Sequence, residues 1–235
     1  KFECLKMAKK IKAPKHPHGA EIAYRNYLQK YLQEVIKYSK NGNNRGIENA
    51  TRAAIKYAES IGGKISAHVL REIKKNLKDG LIKSDAEVWT ERAVAANDAP
   101  YLDAFVFRNT LLIQNVTNEV RIKIYDEIRK NATDLKPLEK RIKEVTGFSD
   151  FRVKLIARDQ TAKLNSELSA LRHKAAGFAR YEWATSGDER VRDEHKHLNG
   201  NVYQYDAPTD EKDGLPPGQA IQCRCVAEPI FEELL

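Results

Sequence analysis

From Gly19 to about Lys174 the apolar residues recur three and four apart. That spacing lays an apolar stripe along a helix and fits little else. The first stripe is Ile22, Tyr24, Leu28, Tyr31, Leu32, Val35 and Ile36, with Asn41 and Gly42 as its stop. A second helix is predicted over Arg45 to Ser60, ended by Gly62 and Gly63. A third covers Ser66 to Leu77 and ends at Asp79 and Gly80. Ser84 followed by Glu87 has the form of a capping box, opening a fourth helix to about Ala96. The longest candidate runs from Tyr101 to Lys130, with Thr117 and Asn118 as a point of division. Asp134 to Val145 reads as a short helix with Pro137 in its first turn and Gly147 at its end. The next helix is capped by Ser149 or Asp150 and reaches about Lys174. Stripes of this kind are helix-to-helix core rather than a cofactor pocket.

After Gly177 the texture changes. Phe178 to Thr185 alternates like a strand, and Ser186, Gly187 and Asp188 are turn residues. Arg192 to Leu198 suits a helical turn, and Val202 to Tyr205 a second short strand. Residues 206–218 form an acidic, proline-rich loop, and Ile221 to Pro229 is a third strand candidate. The fold class expected is mainly α: a multi-helix body with a small α+β C-terminal module of short strands and loops. The expected divisions are a basic arm (1–18), a helical body (19–148), a linking helix (149–176) and the polar module (177–235).

At 235 residues the chain can bury a real core as one large or two small domains. No apolar run approaches the ~18 residues of a membrane span. The formal net charge of +8 is uneven. The first 18 residues carry Lys1, Lys6, Lys9, Lys10, Lys12 and Lys15 against Glu3, while seven acids face two bases from Asp206 onward. The arm lysines Lys6, Lys9, Lys10, Lys12 and Lys15 form a candidate contact for DNA or an acidic partner, of the salt-dependent kind. Pro14 and Pro17 keep that segment from being helical, and a plain flexible terminus is the other reading. Three cysteines cannot all pair, Cys4 is distant from the others, and a Cys-x-Cys bridge is strained, so reduced thiols are expected.

Trp183, Thr185, Asp188, Arg190, Arg192, His195 and Gly200, followed by Pro216 to Gly218 and by Cys223, Arg224 and Cys225, concentrate the chain's chemistry. Polar side chains of this kind need partners if buried. An extended backbone at 222–226 would point both thiols to one face and Arg224 to the other. Two thiolates could take zinc with His195, then Asp188 or His197, as further ligands. The alternative is two small buried thiols beside an ion-paired surface, with Arg224 and Arg190 pairing with Asp188 or Asp159. No cofactor is required, and zinc is the metal this donor set admits. An enzyme reading is also open: His195 and Asp188 with Cys223 as a hydrolase, or the His195 stretch as a metal-dependent nuclease. No phosphate loop, His-Glu-x-x-His helix or nucleophile elbow accompanies them.

The ordered block resembles the C-terminal module of the phage Mu F-like minor head proteins, also called phage head-morphogenesis proteins. Family members often carry proline soon after the second arginine, where this chain has Asp193. Ile156 to Thr161 is similar to the family's helix before that module, and Ala20 to Arg25 to its N-terminal signature. The resemblance implies that Arg158, Asp159 and Gln160 face the C-terminal block and complete a structural polar site. It implies a virion component without enzymatic activity: a minor capsid protein of a bacteriophage at the portal vertex and inner capsid. Portal, capsid or scaffold proteins would be its partners, with packaged DNA as a non-specific contact and the host cytoplasm as the place of assembly.

Overall fold

The computed structural model describes residues 9–130 and 138–231. Its elements follow as β1 (Lys9–Lys10), α1 (His18–Lys40), α2 (Asn44–Gly80), α3 (Lys83–Ala95), α4 (Ala99–Lys130), α5 (Leu138–Ala176), β2 (Arg180–Ala184), α6 (Asp193–Leu198), β3 (Val202–Gln204) and β4 (Val226–Phe231). The expected class, mainly helical with a small sheet toward the C-terminus, is the class observed. Two compact units cut across the expected linear divisions. One gathers the described residues up to Pro17, Ile65–Tyr101 and the described chain from Ala162; the other joins His18–Lys64 to Leu102–Thr161.

The second unit is helix packed on helix. Tyr24, Leu28 and Val35 of α1, Ala54, Ala58 and Ile61 of α2, Phe105, Val120 and Ile124 of α4 and Ala157 of α5 are all fully buried. The expected break at Gly62 and Gly63 does not occur, because α2 runs on to Gly80. A glycine inside a helix costs about 1 kcal/mol against alanine. Burying Ile61 and Ile65 on either side returns more than that. Gly62 also sits close to the side chains of Leu102 and Phe105, 3.4 Å from where a Cβ would lie.

Thr117 does not divide α4. Its hydroxyl donates to the Ile113 carbonyl of the turn before (2.7 Å) and meets Tyr31 Oη in a short hydrogen bond. Nor does Gly147 end a helix, since α5 passes through it. The predicted start at Asp134 and Pro137 lies outside the described residues. On α4, Phe107, Leu111, Ile122 and Tyr125 are exposed, and their spacing puts them on one face of the helix.

The first unit carries the sheet, in the order β1-β4-β2-β3, antiparallel throughout. Alternation along β2 buries Tyr181 and Trp183 on one face. The described part of the expected arm is not loose. Ile11 is buried, and its N–H donates to the Pro229 carbonyl at 3.0 Å. Asn76 donates to the Lys12 carbonyl and His68 to that of Lys15, both at 2.8 Å. Pro14 and Pro17 forbid helix but suit an extended path, which lets β1 cover the edge of β4. Arg172 of α5, almost fully buried, ties this unit together. It donates to the Ala93 carbonyl (3.0 Å), to Ser66 Oγ (3.0 Å) and to the Asp98 carboxylate (2.8 Å). The expected capping box is absent: α3 begins at Lys83 behind Ile82, without a side-chain cap, and Ser84 instead reaches Asp85 at 3.4 Å. Among the described residues no helix is long and apolar enough to cross a membrane.

Candidate functional site

Four segments build the polar module. β2 supplies Trp183, α6 supplies His195, the 206–218 loop supplies Glu211, and the chain entering β4 supplies Cys223 and Cys225. The third strand was expected from Ile221 but begins at Val226. Residues 221–222 turn instead, and Gln222 adopts φ 57°, a left-handed conformation uncommon outside glycine. That turn, closed by Cys223 N–H donating to the Ala220 carbonyl (2.9 Å), still directs both sulfurs to one side.

His195 Nδ1 lies 3.5 Å from Cys223 Sγ and 3.6 Å from Cys225 Sγ. All three side chains are buried, and both thiols are free. Trp183 packs edge-on against the His195 ring at 5.5 Å, and Leu198 joins the same apolar cluster. The other ring nitrogen, Nε2, faces Glu211 Oε1 at 3.9 Å. Glu211 is itself buried. Its second carboxylate oxygen accepts from the backbone N–H groups of Asp213 (2.8 Å) and Leu215 (3.2 Å). The Cys223 thiol is held below its usual range because the Cys225 thiol donates to it and backbone N–H groups point at it; burial opposes this. Cys225 is pushed up as the donor of that pair.

The loop that carries Pro216 to Gly218 is pinned to α5. Ser166 Oγ donates to the Pro217 carbonyl (2.6 Å) and Gln219 Nε2 to that of Lys163 (3.2 Å). Gly218 has φ 87°, and a Cβ there would stand 2.8 Å from Ser166 Cβ, so this position requires glycine. Its N–H points at Cys223 Sγ at 3.4 Å.

The remaining predicted residues do other work. Asp188, taken as a candidate metal ligand, is exposed and accepts two hydrogen bonds from the Arg224 guanidinium. That pairing holds its carboxyl below the usual range. A bidentate guanidinium is the stronger partner for an exposed carboxylate, so Asp188 is placed with Arg224 and not with the thiols. Arg190 lends its backbone N–H to the same carboxylate (3.1 Å). Arg192 donates to the Ile221 carbonyl (2.6 Å), bracing the turn before Cys223. Thr185 donates through both N–H and hydroxyl to Asn199 Oδ1. Gly200, at φ 85°, returns its N–H to the Trp183 carbonyl (2.8 Å). His197 is exposed. Arg158, Asp159 and Gln160 belong to the other unit, where Asp159 and Gln160 are buried and the Gln160 amide donates to Asp159 at 3.3 Å. Of the arm lysines, Lys10 pairs with Glu182 at 2.6 Å, Lys12 and Lys15 are exposed, and Lys6 and the side chain of Lys9 lie outside the described residues.

Sequence reasoning missed Glu211, which is one acid among several in an acidic loop. Only the closure of residues 209–215 around it makes it buried, with Thr209 Oγ1 donating to the Leu215 carbonyl at 2.7 Å. It also missed His173. That ring is buried, hydrogen-bonded to Tyr205 Oη at 2.9 Å, and its pKa is driven down to about 3 by burial.

Comparison with known proteins places this block. The family described as "Phage Mu protein F like protein" matches residues 118–228, a span that begins in α4 and ends in β4. The match bears out the resemblance drawn from Trp183 to Cys225, while Ala20 to Arg25 lies outside it. An uncharacterized protein of Haemophilus influenzae is 26% identical over 257 residues, covering 96% of this chain. The chain spans 56% of that protein's length. No solved structure matches the chain.

Proposed function

We propose, from the match to the Phage Mu protein F like family over residues 118–228, that this chain is a structural component of a phage head and assists head morphogenesis. The finer reading puts it at the portal vertex and inner capsid, within the virion and, during assembly, in the host cytoplasm. Portal protein and capsid or scaffold proteins are the partners, and packaged DNA is a non-specific contact.

The observation that carries this reading is that the matched span contains the whole polar block from Trp183 to Cys225. Further support comes from surfaces suited to binding. The exposed face of α4 offers Phe107, Leu111, Ile122 and Tyr125 to an apolar partner. The basic excess and the exposed Lys12 and Lys15 suit a salt-dependent contact with DNA. Binding rather than turnover is favoured because the thiols and the imidazole are buried. Asp188, the acid that the hydrolase reading named, is paired with Arg224 instead.

The test is co-sedimentation with the portal protein of the same phage. The wild-type chain is expected to travel with the portal, and the double variant Phe107→Glu, Ile122→Glu to lose most of that association while keeping its helical circular dichroism. A wild-type chain that never travels with the portal would remove the portal vertex from this reading.

A further inference from the structure

We propose that His195, Cys223 and Cys225 hold one zinc ion, and that Glu211 is the carboxylate that orients the His195 ring. This goes beyond the head reading and does not depend on it.

The first support is distance. In a tetrahedral zinc site the sulfurs stand about 2.3 Å and the nitrogen about 2.0–2.1 Å from the metal, which puts nitrogen and sulfur roughly 3.5 Å apart. The observed separations from His195 Nδ1 are 3.5 Å and 3.6 Å. The three donor atoms all lie within 4.8 Å of one another. The second support is the direction of the ring. A ligating histidine turns its other nitrogen toward a carboxylate, which fixes the tautomer and makes the ligand more basic. Here Nδ1 faces the sulfurs and Nε2 faces Glu211 at 3.9 Å, with no hydrogen-bond partner of its own among the described protein atoms.

The third support is charge. Glu211 is a buried carboxylate whose ion-pair partner among the described residues is His195. A buried carboxylate is costly without a cation nearby. A divalent ion on the far side of the imidazole supplies that charge. The Gly218 N–H aimed at Cys223 Sγ is the kind of donor that stabilises a metal-bound thiolate.

The consequence is structural. The ion would join α6, the acidic loop and the entry to β4, three segments that short strands alone hold weakly. Three protein ligands leave the fourth position to water.

The experiment measures zinc in the full-length chain, purified without chelator and checked for folding by circular dichroism. About one zinc per chain is expected. Cys223→Ser and Cys225→Ser should each lose most of it. Glu211→Gln should keep a site but bind roughly 10- to 100-fold more weakly. As a control that needs no variant to fold, cobalt replacing zinc in the wild-type chain should give a sulfur-to-cobalt charge-transfer band. A folded wild-type chain that holds little zinc and gives no such band overturns the proposal. So does zinc retained in full by both serine variants, which would place it elsewhere.

Discussion

The two units answer their buried polar groups in opposite ways. In the helical unit, help comes largely from one turn away: Asn109 donates to the Phe105 carbonyl and Thr117 to that of Ile113. Tyr24 and Tyr31 of α1 then add one hydroxyl contact each. In the unit that holds the polar module, help comes from far along the chain. Buried Arg172 reaches Ala93 and Asp98 and half-buried Ser166 reaches Pro217, while at the surface Arg192 reaches Ile221 and Arg224 reaches Asp188. A helix satisfies its own backbone, so its core can be set by apolar spacing alone. A loop-rich module has no such ladder, and a small number of side chains hold it in one arrangement.

This contrast can be sharpened by substitution. The largest effect is expected at Trp183, the buried centre of the module. Trp183→Ala should cost about 3–5 kcal/mol in denaturant melts, whereas a volume-conserving Ile113→Leu in the helical unit should cost under about 1.5 kcal/mol.

The next effect depends on pH. In the fold His173 stays neutral down to about pH 3, while in the unfolded chain it takes a proton near its ordinary 6.5. The unfolded state therefore binds more protons in that window. The stabilisation is complete above pH 6.5 and is lost as pH falls toward 3, by something on the order of 5 kcal/mol. His173→Gln should flatten the stability-against-pH curve there; an unchanged slope would show that the burial of this ring is not what sets it.

Arg172→Met should cost about 3 kcal/mol, since it strips the Ala93 carbonyl, Ser66 and Asp98 of their shared donor. Gly218→Ala should cost about 2 kcal/mol through positive φ and the contact with Ser166. Asp188→Ala, at an exposed ion pair, should leave the melting curve nearly unmoved. A large loss there would mean that the module depends on its surface as much as on its buried side chains.

How much of this was legible follows from the same contrast. Apolar periodicity located the helices of both units because burial repeats with the helical turn. It misplaced the breaks at Gly62 and Gly147, where residues on either side outweigh one glycine. Cys223, Cys225 and His195 were legible by residue type and by the two-residue spacing of the thiols. Glu211 was not, because nothing local separates it from Asp210 or Asp213; its burial comes from the loop closing on itself. Asp188 was open to two readings, a further metal ligand or the partner of Arg224, because spacing along the chain does not choose between them; the fold takes the second.

The most direct test of the head reading is quantitative mass spectrometry of purified particles from the source strain. Empty heads, DNA-filled heads and free cytosol would be compared. The expected result is this chain in both kinds of head at a fixed ratio to the portal protein. Its absence from particles, with abundant free protein in the cytosol, would contradict a structural role in the head.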